Sequence, residues 1–161
     1  MISLPKKPLI FMDIDGCLNN HNTHPIIKCN TIEPLLAQRF NQILWRTNAN
    51  FVVSSAWRYM VLGGGMTLDG FRYMLQSHWI DANRIIGITR KDVSSETMDR
   101  GAQITEWLSA NASRFNGKYL VIDDMDLGIS AAKLNFLHID GTVGLTASDV
   151  EKAVSQLDKT L

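Results

Sequence analysis

Asp13-Ile14-Asp15-Gly16 is the stretch of this sequence best suited to chemistry. Side chains two apart on an extended segment project to the same side, so both carboxylates can face one ligand. Gly16 lets the chain turn away and permits close backbone approach. Beside a metal ion that neutralises a phosphate, one carboxylate can attack phosphorus while the other supplies a proton to the leaving oxygen. Asp-Gly is also a common turn signal, so these four residues alone are read equally well as a solvated turn.

The elements around the pair decide between those readings. Leu9–Met12 is a continuous apolar run, as expected of a buried central strand that delivers Asp13 at its end. Residues 17–30 are polar and are expected to form an exposed, flap-like loop. Thr31 is expected to cap a helix with Pro34 in its first turn, with Ile32, Leu36, Phe40 and Leu44 on its apolar face. Residues 51–55 give a second buried strand and 56–60 a short helix broken by Gly63-Gly64-Gly65. Leu68, Phe71, Leu75 and Trp79 mark another helix. A third strand is expected over 84–89, a polar loop over 90–99, a helix over 100–110, a fourth strand over 119–122 and a weaker fifth over 136–139. The last helix starts near Thr146, with Asp149 three residues on, and is expected to bury Val150, Val154, Leu157 and Leu161. Strands alternating with helices predict an α/β fold: a Rossmann-like three-layer α/β/α sandwich on a mainly parallel sheet of about five strands. The whole chain, 1–161, is expected to be one domain, with no large cap in either gap between the polar strand ends.

In such sheets ligands bind beyond the carboxyl ends of the strands, where strand order reverses. The sequence puts its unusual polar residues there: Asp13 and Asp15 after the first strand, Ser54 and Ser55 after the second, Asp123 and Asp124 after the fourth. Carboxylates directly after apolar strands are costly to bury unless paired or bound to a cation. Several at one rim make a hard, oxygen-rich site suited to Mg²⁺.

At these positions, in order, the chain resembles the haloacid dehalogenase-like phosphatases. Asp13-Ile14-Asp15-Gly16 is similar to the family's first motif, which implies Asp13 as nucleophile and Asp15 as general acid and base. Ser54 stands where the second motif's hydroxyl contacts the transferring phosphoryl group. Arg100, opening Arg100-Gly101-Ala102-Gln103, stands in the place of the third motif's basic residue, where Lys is more usual. Asp123-Asp124 matches the fourth motif, whose acids complete a magnesium site with Asp13 and Asp15. Ser54-Ser55-Ala56-Trp57-Arg58, residues 100–107 and Gly144-Leu145-Thr146 further resemble small phosphatase domains associated with RNA-repair proteins. That narrower resemblance implies a phosphorylated substrate such as a nucleic-acid end or a nucleotide.

Supporting residues divide less cleanly. Ser55 contributes either its hydroxyl or its backbone N–H to phosphate binding. Arg58 either clamps a substrate phosphate or caps a surface beside Trp57, which is read as packing. His21 and His24 are read as ordinary loop polars, Asp126 as a solvated acid and Cys17 as a small buried residue rather than a thiol nucleophile. Two cysteines, Cys17 and Cys29, make no disulfide framework. Sixteen basic and sixteen acidic residues leave no net charge, which argues against non-specific binding of nucleic acid. The short apolar run after Pro8 is too short for a signal-peptide core or a membrane span, so a cytoplasmic location is expected. Against the phosphatase stand a non-catalytic phosphate-binding module of the same fold and a phosphatase of phosphoproteins or small metabolites. A mutase, which usually needs a cap to exclude water, and a dehalogenase fit less well.

Overall fold

The computed structural model describes residues 5–20, 31–90 and 98–159. Its framework is one five-stranded parallel sheet in the order β3-β2-β1-β4-β5. The strands are β1 Leu9–Met12, β2 Asn50–Val53, β3 Ile85–Ile88, β4 Tyr119–Asp123 and β5 Phe136–His138. Every residue of β1 is buried, which is why its apolar run is continuous rather than alternating. Strand order reverses between β1 and β4, so the crevice for a ligand opens beside Asp13.

Among the described residues five α-helices accompany the sheet: α1 Pro34–Thr47, α2 Tyr59–Leu62, α3 Leu68–Ser77, α4 Arg100–Ala110 and α5 Ala147–Lys159. One core layer joins Ile10, Met12, Phe51 and Leu120 to Leu36, Phe40, Phe71, Val150 and Leu157 of α1, α3 and α5. The opposite layer is smaller and sets Phe11, Val52 and Val121 against Ile104 and Trp107 of α4. Phe11 meets Trp107 edge-on at 5.5 Å between centroids, so α4 is keyed to the central strand. The expected three-layer α/β/α architecture is therefore present.

Local details differ from the sequence reading at four points. The residue capping α1 is Glu33, through its backbone and without a side-chain cap to its own helix, because Pro34 sits in the first turn and needs no N–H partner. Residues 17–20 are buried and not part of an exposed flap, for reasons given with the site; 21–30, with His21, His24 and Cys29, lie outside the described residues. Val154 is half-buried and Ala153 takes the inner position on α5; Leu161 lies outside the described residues. Asp149 does close the helix start, accepting from the Thr146 N–H at 2.9 Å while its own N–H reaches Thr146 Oγ1 at 3.1 Å.

Trp79 is the fourth difference. It does not continue the apolar face of α3 but follows its end in the left-handed region, φ 64°. The Ile80 N–H returns to the Leu75 carbonyl at 3.1 Å, which closes the helix and turns Ile80 into the core. Glycine ordinarily fills this position because a side chain there costs about 1–2 kcal/mol. With its ring largely exposed, Trp79→Gly is expected to raise stability by about 0.5–1 kcal/mol, read as a higher midpoint in urea.

Candidate active site

Sheet register lines up the candidate residues before any side chain is considered. Met12 pairs with Val53 on one side and Ile122 on the other, so Asp13, Ser54 and Asp123 follow at one level. Backbone bonds hold that row: Asp13 N–H to the Ile122 carbonyl, Ser54 N–H to Met12 and Thr89 N–H to Val53, each at 3.0 Å. Asp13, Ser54, Ser55, Thr89 and Asp123 are all buried.

Arg100 is the counter-charge in this row. Its Nη1 donates to Asp123 Oδ2 and lies 3.3 Å from Asp13 Oδ2. Burial works against the guanidinium charge, but Asp13 and Asp123 outweigh it and raise the Arg100 pKa. The helix that carries Arg100 is seated by a close backbone approach. A Cβ on Gly101 would lie 2.2 Å from the Gly128 carbonyl oxygen, and the Gly101 N–H bonds to Leu127 at 3.0 Å. Both oxygens of Asp123 are engaged, the other accepting from the Met125 N–H at 2.9 Å. Burial, together with the Asp13 charge, pushes its carboxyl up to about 7 despite Arg100.

Asp124 plays a different part from Asp123. Oxygens of Asp13 and Asp124 and the Cys17 sulfur lie within 4.8 Å of one another. Gly16, at φ 79°, makes that approach possible: a Cβ there would fall 2.2 Å from Asp124 Oδ2. The Cys17 thiol is pushed well up, by burial first and then by Asp13, Asp123 and Asp124. It is a neutral neighbour, as its reading as a small buried residue requires. The donor set fits a hard divalent cation: two close carboxylates, beside a third whose pKa burial and the Asp13 charge raise.

Asp15 is held by two residues that sequence reasoning did not assign to it. The Trp57 indole N–H donates to both carboxylate oxygens, at 3.0 and 3.1 Å, and Asn19 Nδ2 donates to Oδ1 at 2.9 Å. Asn19 also accepts from the Gly16 N–H at 2.8 Å and donates to the Thr31 carbonyl at 3.0 Å. These bonds bury residues 17–20 as a tight turn under the site. The signal for Asn19 was its position four residues after Asp15, masked by the neighbouring polar residues.

Ser55 Oγ caps the following 3₁₀ turn, Ala56–Arg58, by accepting from the Trp57 N–H at 3.2 Å. Arg58 is no surface cap. It is buried, donates to the Ser54 and Ser55 carbonyls at 3.0 and 2.7 Å, and reaches Gln103 Oε1 at 2.8 Å. Burial above all lowers its pKa, and it lies within the electrostatic reach of both Asp13 and Arg100. Three buried polar atoms on this side lack a hydrogen-bond partner among the described residues: Ser54 Oγ, Arg58 Nε and Thr89 Oγ1. Each such group is costly unless something bonds it. Asp126 stands apart, accepting from the Ser130 N–H at 2.8 Å.

The structure thus brings Asp13, Asp15, Ser54, Ser55, Arg58, Arg100, Asp123 and Asp124 to one crevice. No helix among the described residues is long and apolar enough to cross a membrane. No curated protein and no solved structure gives a significant match to the chain. The family model for the HAD domain in Swiss Army Knife RNA repair proteins matches residues 9–150, from the first residue of β1 into α5. With the parallel sheet and the ordered acids at its switch point, this match shows that the chain belongs to that family of HAD domains.

Proposed function

We propose that the protein is a magnesium-dependent phosphomonoesterase that works through an aspartyl-phosphate on Asp13, with nucleic-acid ends or nucleotides as its substrate class. The observation that carries this reading is the placement of Asp13 between Asp124 and Arg100, with Asp15 held beside it by Trp57 and Asn19. Mg²⁺ would be held by Asp13 and Asp124 and by the backbone carbonyl of Asp15; when bound, it neutralises charge on the phosphoryl oxygens. Asp123, with both oxygens engaged, holds Arg100 rather than the ion.

The Asp13 carboxylate attacks phosphorus, forming one P–O bond as the bond to the leaving oxygen breaks. Asp15 gives that oxygen its proton. Asp15 then takes a proton from water, which attacks the aspartyl-phosphate, releases inorganic phosphate and restores Asp13. The unpaired Ser54 hydroxyl donates to the phosphoryl group, and Arg100 and Arg58 balance its charge from the α4 side. Trp57 and Asn19 fix the direction in which Asp15 passes its proton. Trp57→Phe, which keeps the ring and removes the donor, is expected to lower kcat about tenfold with little change in KM. Full kcat in that variant would remove the positioning role from Trp57.

No separate cap domain is present among the described residues, which favours a large substrate such as a nucleic-acid end. The test is phosphate release from a 3′-phosphorylated oligonucleotide, a mononucleotide and a phosphopeptide, with Mg²⁺ and with chelator. Release that needs Mg²⁺ and favours the first two is expected. Absence of release from all three with Mg²⁺ would leave a phosphate-binding module as the better reading.

A further inference from the structure

A second cavity lies beside the crevice, against the edge strand β3, with a volume of about 320 Å³. It runs along α4, which leads from Arg100 in the crevice to Trp107 about 10 Å further along the helix axis. Its walls include Leu68, Ile88 and Ala110 but also Arg90, Asn111 and Arg114, the last with its guanidinium 5.7 Å from the centroid of the Trp107 ring. A Cβ on Gly87 would enter it, 3.4 Å from the Trp107 indole nitrogen. That indole N–H has no hydrogen-bond partner among the described residues.

Gln103 connects the cavity to the phosphate side of the crevice. Its carbonyl oxygen accepts from Arg58 at 2.8 Å, which fixes the amide orientation and leaves the N–H₂ group without a partner among the described residues. The cavity therefore offers the Gln103 amide, the Trp107 indole and the Arg90 and Arg114 guanidinium groups as donors and the Glu106 carboxylate as an acceptor, among apolar side chains. Apolar side chains edged by mixed donors and acceptors match a nucleobase, and the volume is within the range of small-molecule sites.

We propose that this cavity is the leaving-group subsite, which seats the nucleoside next to the scissile phosphate. Its catalytic part rests on the phosphomonoesterase reading; its binding part does not. Gln103 makes the subsite useful, because an occupant that orders Gln103 also orders Arg58 beside the phosphate.

The test uses the full chain and two variants that fill the cavity without touching the crevice, Gly87→Leu and Ala110→Phe, each confirmed folded by circular dichroism. Adenosine, which carries no phosphate, is titrated by calorimetry. Saturable binding to the native protein, weakened at least tenfold in either folded variant, is expected. No saturable binding, or binding unchanged in both variants, overturns the subsite. In the catalytic arm, kcat/KM for adenosine 5′-monophosphate or a 3′-phosphorylated oligoribonucleotide should fall at least tenfold while glycerol 2-phosphate stays within twofold. An equal change on all three substrates overturns the leaving-group role. A native protein that hydrolyses none of them overturns the phosphomonoesterase reading, while adenosine binding still decides the cavity.

Discussion

Asp13→Asn is expected to lower Mg²⁺-dependent turnover of a phosphomonoester by at least about 10³-fold, with the fold intact. The amide keeps the size and most of the hydrogen bonding of the carboxylate but is a far weaker nucleophile towards phosphorus. What separates this outcome from simple unfolding is the charge balance of the site. Asp13 and Asp123 are both buried against the guanidinium of Arg100, and the Asp13 charge helps push Asp123 up to about 7. Removing one of the two negative charges leaves a one-to-one pair. The metal-free variant should therefore melt at or above the temperature of the native protein while losing its activity, as expected where function holds like charges together. The measurement is kcat alongside thermal melting in chelator. An asparagine variant with the full magnesium-dependent rate would refute Asp13 as nucleophile.

Much of this site was legible because the residues that form it follow apolar strands. Leu9–Met12, Phe51–Val53 and 119–122 announce buried strands, and in a parallel sheet whatever follows a strand lands on the ligand-binding edge. The register then aligns Asp13, Ser54 and Asp123 with no further information. What sequence could not show were contacts made across long separations. Trp57 reaches Asp15 from 42 positions away, and nothing about an isolated tryptophan distinguishes that hydrogen bond from packing. Gln103 and Arg58 meet across 45 positions for the same reason. Thr89 enters the row only through the pairing of β2 with β3, a strand less uniformly buried than β1 and bearing a bulge in its register. Asn19 and the turn around it were hidden differently: a run of polar residues usually signals solvent, but these side chains satisfy backbone groups under the site.

The pairing of Asp123 with Arg100 separates two acids that look equivalent in sequence, and it leads to the second large effect. Arg100→Met keeps the length and packing of the side chain but strips the counter-charge from Asp13 and Asp123. A buried ion pair broken from one side typically costs about 3–5 kcal/mol, because the surviving charge is left uncompensated. Here two carboxylates survive, so the metal-free variant should reach that range in urea unfolding. The pH dependence has a definite sign. A carboxyl whose folded pKa is raised binds its proton more tightly in the fold than in the unfolded chain, so its contribution to stability falls as pH rises from the ordinary carboxylate range to about 7 and levels off above it. Loss of Arg100 raises that pKa further. The deficit of the variant should accordingly be smallest near pH 5, where Asp123 is protonated in both proteins, and should widen by pH 8. Arg100→Lys, which restores the charge usual at this position in the family, should recover most of the stability, although an ammonium serves two carboxylates less rigidly than a planar guanidinium. Equal stability of Arg100→Met and the native protein at pH 8 in chelator would show that Arg100 does not carry the charge balance of the site. In that case its bond to Asp123 would be a contact without energetic weight, and α4 would owe its position to Gly101 and Trp107 alone.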